Sequence, residues 1–362
     1  MKILFALSGS GGHIFPALST AEKLAKGSSQ ADIVFLTEKN KISLEILGNS
    51  EFKVFFLDSK LARRLPLQAF SSIVKLLMTS FESLRIVREI RPDVVVGFGG
   101  YISIIPIFLA KLFRLKSIIH EQNVSLGRAN YLLSLICNCL AVSFKATEGR
   151  FKNSRLNKKI IYTGLPLREG LKEVSSSEAI RFFDFDSNIF TILVLGGSQG
   201  SQHINKDFID CLEDLPFKDK LQIIHISGFK DEAWIKSFYD KSPQLKVKTF
   251  PFLSQMSFAF SAADLCICRS GASTINELSL FKLPAMLIPY PGTHVHQREN
   301  AQILVKAGAA VLLEERKLAF SLKENLKRLY NQREIIKDMK ESFPKDVIFN
   351  ASDRLSEVII NI

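Results

Sequence analysis

Short apolar runs recur along the chain, each closing in glycine or a polar turn and each followed by a longer stretch where apolar residues return every three to four positions. In the first half the runs are KILFAL, DIVFLTE, DVVVGFG, KSIIHEQN, CLAVSF and KIIYTG. In the second they are FTILVLGGS, LQIIHISG, KVKTFPF, LCICRSG, PAMLIPYP and AAVLLEE. Runs of this length that are apolar at nearly every position read as strands buried on both faces, with the amphipathic stretches as helical crossovers. The cadence predicts two doubly wound, Rossmann-like α/β domains with parallel sheets. Thr163-Gly164-Leu165-Pro166 places glycine and proline where the first domain's last strand should finish, so residues 1–165 are expected to form one domain and the next to begin at 166. In such sheets ligands bind beyond the carboxyl ends of the strands, which directs attention to the turns.

Composition supports a folded, two-domain chain. With 362 residues and 47% hydrophobic content it can bury a large core, which excludes disorder as the main state. The uncharged apolar stretch at residues 94–110 contains three glycines and Pro106 and is shorter than the roughly 20 apolar residues of a membrane-spanning helix. Ile3 to Leu7 is too short for a secretory signal, so a cytosolic protein is expected. The five cysteines include Cys137 and Cys139, and Cys266 and Cys268, inside apolar runs without the spacing of zinc sites, and read as buried reduced thiols.

Charge divides the two halves. Of the net +12, residues 1–165 hold 23 lysines and arginines against 11 acids, and the remainder holds 25 against 25. An anionic partner for the first domain alone is implied. Residues 60–91 interleave Lys60, Arg63, Arg64, Lys75, Arg85, Arg88 and Arg91 with leucines, phenylalanines and Met78. That pattern fits a membrane surface and equally an ordinary helix with its apolar side packed inward. No recognition-helix pattern or aromatic-rich strand motif points to nucleic acid.

The turns carry the candidate chemistry. KILFAL runs into Ser8-Gly9-Ser10-Gly11-Gly12-His13, and a helix is expected to open at Ile14. Glycines there admit a phosphate to backbone N–H groups, and His13 is placed as a general base or as a loop cap. Gly97-Phe98-Gly99-Gly100-Tyr101 and His120-Glu121-Gln122-Asn123 follow two further strands and would open on the same crevice. The second of these offers hydrogen bonds to a hydroxyl-rich ligand or satisfies itself. In the second domain Gly196-Gly197-Ser198-Gln199-Gly200 resembles a diphosphate cradle. Cys268 to Glu277 closes a strand and opens a helix, with Ala272 and Ser273 in its first turn and Thr274 and Glu277 one turn apart on one face. Glu277 fits a ribose diol or a first-turn acid facing the helix dipole. His296, Gln297 and Asn300 follow a proline-rich bend, and His294 with His296 lacks a third metal ligand.

Taken in order, SGSGGHIFPAL, GFGGY, HEQN, GGSQGS, CRSGASTINEL and HQRENAQILVKAGAA resemble the MurG family of bacterial cell-wall glycosyltransferases from end to end. The resemblance implies the glycosyltransferase B fold, with a donor domain over residues 166–345 and a C-terminal helix, 346–362, crossing back to the first domain. It implies inverting transfer of N-acetylglucosamine from UDP-N-acetylglucosamine, a substrate and not a cofactor, to the undecaprenyl-diphosphate-linked muramoyl peptide. The enzyme would be peripheral at the cytoplasmic face of the cell inner membrane, with an anionic lipid surface and other wall-synthesis proteins as partners. Carried over by position, Ser10, Gly11, Gly12, Gly99, Gly100 and Tyr101 would hold the acceptor diphosphate, beside His13. Asn123, Arg168, Ser198, Gln199, the backbone at Leu253, Ala272, Ser273, Thr274, Glu277, His296 and Gln297 would hold the donor. No metal and no cofactor are implied. Ser8, Ser10, Leu165 and His294 depart from the family pattern, and Leu165 puts a polar linker contact in question.

Three rivals remain. A nicotinamide dehydrogenase fits Gly9-Ser10-Gly11 and Glu38 at the end of the next strand, but G-x-G-x-x-G fails at Ile14. A UDP-sugar 2-epimerase would share fold and donor, and a silent scaffold would need none of the polar turns. Asp184-Phe185-Asp186 imitates a metal-binding DxD but precedes a strand, so a surface turn is expected.

Overall fold

The computed structural model describes residues 1–27, 31–57, 80–151, 154–197, 200–292 and 295–362. Two compact units emerge, Met1–Glu169 with Ile348–Ile362, and Gly170–Val347.

Unit 1 is built on seven parallel strands: β1 (Lys2–Leu7), β2 (Asp32–Glu38), β3 (Lys53–Leu57), β4 (Val94–Gly97), β5 (Lys116–Glu121), β6 (Cys139–Val142) and β7 (Ile160–Tyr162), in the order β3-β2-β1-β4-β5-β6-β7. Side chains on β1 alternate between two cores: Ile3, Phe5 and Leu7 pack with Ile14, Ala17 and Phe98, while Leu4 packs with Val95, Ile107 and Ile119. That period of two, buried on both sides, is why the strands are apolar throughout. The strand β3 was not among the expected runs. Its edge position leaves most of it half-buried, so Lys53 interrupts the apolar signature.

The first helix, Gly11–Gly27, begins three residues earlier than expected because the Ser10 carbonyl accepts from both His13 N and Ile14 N at 3.0 Å. His13 therefore belongs to its first turn. The C-terminal helix, Ala351–Asn361, lies on this helix: Leu355 and Ile359 enter the same core, Ser19 Oγ is 2.7 Å from Ser352 Oγ, and Lys23 pairs with Asp353 at 2.6 Å. The division between units falls after Glu169 rather than Leu165, since Arg168 stacks on Phe15 at 4.8 Å and Glu169 pairs with Lys26.

Unit 2 repeats the plan with six parallel strands: β8 (Phe190–Leu195), β9 (Leu221–Ile226), β10 (Lys246–Phe250), β11 (Leu265–Cys268), β12 (Ala285–Leu287) and β13 (Ala310–Leu312), ordered β10-β9-β8-β11-β12-β13. All five cysteines are free and buried, and burial pushes Cys137 up to about 11 and Cys139 to about 12. Asp184 stands in the left-handed region at φ 55°, and Asp186 Oδ1 accepts from Asn188 N at 2.9 Å, so the DxD imitation is a turn.

Residues 60–79 of the basic amphipathic stretch lie outside the described residues. Residues 80–90 are helical, with Arg85 and Arg88 exposed and Arg91 exposed just beyond, while Ile86, Val87 and Ile90 are buried in the unit 1 core. The apolar side of this part faces inward, contrary to an exposed row of apolar residues; Phe81, 74% exposed, is the exception.

Candidate active site

In each sheet the strand order reverses between the first strand and the fourth, at β1/β4 and at β8/β11. Crossovers leave in opposite directions there, which opens a crevice beyond the carboxyl ends. Four of the turns singled out in the sequence follow these strands, while His120–Asn123 closes β5 and the bend before His296 follows β12.

In unit 1 the turns after β1 and β4 are braced against each other. Ser8 N donates to Gly99 O at 3.2 Å, and Ser103 Oγ donates to both Ala6 O and Gly99 O. Gly99 and Gly100 hold φ of 96° and 78°, open to glycine and strained for other residues. A β-carbon on Gly99 would lie 3.0 Å from His13 Nε2, and one on Gly100 would meet the Ser8 side chain. His13 is half-buried between the two turns: its Nδ1 is 2.6 Å from Ser8 Oγ and 2.8 Å from Ser10 Oγ. Burial lowers it to about 4, while the charge of Glu38 works the other way. Neutral at physiological pH, the ring has one nitrogen that can accept a hydrogen bond.

Glu38, at the end of β2, closes this arrangement. Its Oε2 accepts from Tyr101 Oη at 2.7 Å and its Oε1 from Gly9 N at 3.2 Å. The acid that a dehydrogenase would turn toward a ribose is committed to the glycine turn.

The turn after β5 is largely self-satisfied. Glu121, 2% exposed, accepts from Asn123 N, Asn123 Nδ2, Gly127 N and Asn130 Nδ2 at 2.8–3.1 Å. A carboxylate with four donors is an organiser of the loop, and it fixes Asn123. Gln122 Nε2 donates to Phe98 O and to His120 Nδ1, which leaves the His120 proton on Nε2 toward Gly164 O at 3.3 Å.

In unit 2, Gly196 and Gly197 follow β8, and Ser198 and Gln199 lie outside the described residues. The helix Ala272–Phe281 follows β11, opening with Ala272, Ser273 and Thr274, whose N–H groups have no intrahelical acceptor by geometry. Thr274 and Glu277 line one edge of it, Glu277 being 8% exposed. Leu253 is buried in the turn after β10. Gln297 Oε1 accepts from Tyr290 N at 2.9 Å, which holds the start of helix Val295–Ala307 to the end of β12. His296 Nδ1 is buried without a hydrogen-bond partner among the described residues, and His294 lies outside them. Arg168, expected on the donor domain, lies in unit 1 over Phe15.

Arg269 is a site-bracing residue to which the sequence alone gives no role. Nearly buried, it donates to Ser201 Oγ at 2.8 Å and Ile288 O at 3.2 Å and pairs with Glu315, tying the ends of β8, β11, β12 and β13. Its only sequence signal is a charge directly after the apolar run LCIC.

Comparison with known proteins agrees over the whole chain. The Glycosyltransferase family 28 N-terminal domain matches residues 3–142 and the Glycosyltransferase family 28 C-terminal domain residues 191–353. The chain is 33% identical over 350 residues to the UDP-N-acetylglucosamine--N-acetylmuramyl-(pentapeptide) pyrophosphoryl-undecaprenol N-acetylglucosamine transferase of Halothermothrix orenii, covering 94% of each, and 32% identical to the transferase of the same name from Thermoanaerobacter sp. strain X514, covering 100% of each. It is similar to the crystal structure of Acinetobacter baumannii MurG, with a TM-score of 0.79 at 25% identity over 100% of this chain and 99% of that one. The UDP-GlcNAc 2-epimerase of Neisseria meningitidis shares the fold alone, with a TM-score of 0.69 at 14% identity over 100% of both chains.

Proposed function

This chain belongs to the MurG family, and we propose that it transfers N-acetylglucosamine from UDP-N-acetylglucosamine to the muramoyl C4 hydroxyl of the undecaprenyl-diphosphate-linked precursor, turning lipid I into lipid II with inversion. The observation that carries this reading is His13 seated between the two glycine-rich turns at the β1/β4 reversal. Ser10, Gly11, Gly12, Gly99 and Gly100 receive the acceptor diphosphate at the amino end of helix Gly11–Gly27, where the helix dipole favours anions. Tyr101 contributes by holding its turn, since its hydroxyl donates to Glu38.

His13 takes the proton of the attacking hydroxyl. An imidazole at about 4 is a weak base in the free protein, and the charge of a bound diphosphate raises it toward the working range. The hydroxyl attacks the anomeric carbon as UDP leaves, with no covalent sugar intermediate. Thr274 and Glu277 hold the ribose, the backbone at Leu253 the uracil, and Asn123, His296 and Gln297 the sugar. Arg168, Ser198, Gln199 and the N–H groups of Ala272 and Ser273 meet the charge of the leaving diphosphate. Fixed donors of this kind supply the stabilisation that a metal gives in other transferases.

The acceptor's lipid tail stays in the bilayer, so the protein works peripherally at the cytoplasmic face of the inner membrane, where other wall-synthesis proteins are further partners. No helix among the described residues is long and apolar enough to cross a membrane. Unit 1 exposes Phe81, Phe108, Leu112, Leu132 and Leu135 together with Arg85, Arg88 and Arg91, a composition suited to an anionic surface.

Incubation with labelled UDP-N-acetylglucosamine, with and without the lipid-linked acceptor, tests the reading. Label entering the lipid only when acceptor is present supports it. Isomerised donor without acceptor makes the chain an epimerase, and an unchanged donor in both arms makes it a scaffold.

A further inference from the structure

Glu38 ends β2, two strands away from the turn that carries Tyr101, with β1 and its glycine turn between them. A carboxylate beside a diphosphate site repels the ligand, so its placement calls for a compensating role. Its oxygens are occupied: Oε2 accepts from Tyr101 Oη at 2.7 Å, and Oε1 from Gly9 N at 3.2 Å and Asn40 Nδ2 at 3.5 Å. The base of this arrangement is rigid. Asn40 and Ser43 form a reciprocal capping box at helix Lys41–Leu47, and Ser43 Oγ also donates to Glu38 O at 2.6 Å. Asn40 Nδ2 donates to Gly9 O at 3.1 Å, and a β-carbon on Gly9 would overlap the Asn40 amide. The first turn is thereby seated on the end of β2, and Tyr101 is the rod that reaches across it from the second turn.

We infer that Glu38 is a positioning residue of the acceptor site, clamping the two glycine-rich turns into one geometry through Gly9 N–H and the Tyr101 hydroxyl. The inference rests on the reading that these turns hold the acceptor diphosphate. Hydrogen bonds to a charged group are the strong kind, and the clamp spares the acceptor the cost of ordering two glycine-rich loops on binding. Glu38 also faces His13, with His120 as the other titratable neighbour and Ser8 and Ser10 as its hydroxyl contacts; the carboxylate charge favours the protonated imidazole and His120 does not.

The test uses the full chain with E38A, E38Q, Y101F and the double variant E38A/Y101F. With E38A or Y101F the acceptor KM is expected to rise about tenfold or more, the scale of one charge-assisted hydrogen bond, while the KM for UDP-N-acetylglucosamine stays at the parent value. The double variant should be no worse than E38A, because both changes remove the same bond, and E38Q, which keeps an oxygen for Tyr101, should fall between E38A and the parent. Amide exchange in residues 8–13 and 97–103 should quicken in E38A and Y101F, a readout independent of turnover. Parental acceptor KM and exchange in both single variants would overturn the clamp, as would equal losses for donor and acceptor or additive losses in the double variant. A parent protein that transfers no sugar defeats the functional reading instead, and the exchange measurement then decides the clamp alone.

Discussion

His13 shows how a residue legible in the sequence acquires its chemistry only in the fold. Its position after a glycine-rich strand end marks it, but its neutrality follows from Ser8, Ser10 and Gly99 closing round it. His13→Ala is expected to lower kcat by about 10²–10⁴-fold, as for loss of a general base, with the donor KM little changed. Steady-state kinetics with near-parental turnover would reduce it to a loop residue. Glu277→Ala should do the reverse, raising the donor KM and sparing kcat, because a ribose contact is as strong in the ground state as in the transition state. A fall in kcat at unchanged KM would remove Glu277 from the ribose. The sequence offers Glu38 only as the ribose acid of a dehydrogenase and gives Arg269 no role: Tyr101 is 63 positions from Glu38, and the partners of Arg269 come from three other strand ends. Long-range pairing of this kind leaves no local periodicity.

At the scale of elements, buried strands announce themselves and edges do not. KILFAL and LCIC are apolar because both faces are covered, whereas β3 is partly solvated and reads as a mixed segment. The start of the first helix was misplaced because paired glycines suggest a loop, and only the Ser10 carbonyl shows that the helix already runs through them. Two strands carry buried histidines, His120 on β5 and His225 on β9, lowered by burial to about 4 and about 3. In the unfolded chain both titrate near 6.5, so below that pH the unfolded state binds more protons and is favoured. Stability is therefore full above pH 6.5 and declines as pH falls toward 4, by on the order of 1.4 kcal/mol per pH unit for each histidine. Urea unfolding midpoints at pH 7 and pH 5 check this, and equal midpoints would contradict it.

For the whole molecule, the charge division matches the division of labour proposed for the two units: the basic half carries the turns assigned to the anionic lipid acceptor, and the neutral half those assigned to the nucleotide. Each basic side chain near an anionic bilayer contributes about 1 kcal/mol, fading within a Debye length. Reversing the exposed Arg85, Arg88 and Arg91 to glutamate should abolish sedimentation with anionic vesicles and leave UDP binding intact. Parental sedimentation at low salt would move the docking surface elsewhere. The glycine turns closing the apolar runs made the general location of the chemistry readable, while the strand order and the seating of His13 between two turns did not follow from any spacing. The most direct measurement is mass spectrometry of the lipid fraction, with UDP quantified, after incubation with UDP-N-acetylglucosamine and the undecaprenyl-diphosphate-linked muramoyl peptide. The muramoyl lipid should gain one N-acetylhexosamine for each UDP released, and release of UDP or isomerised donor without any gain in the lipid would contradict the proposed transfer.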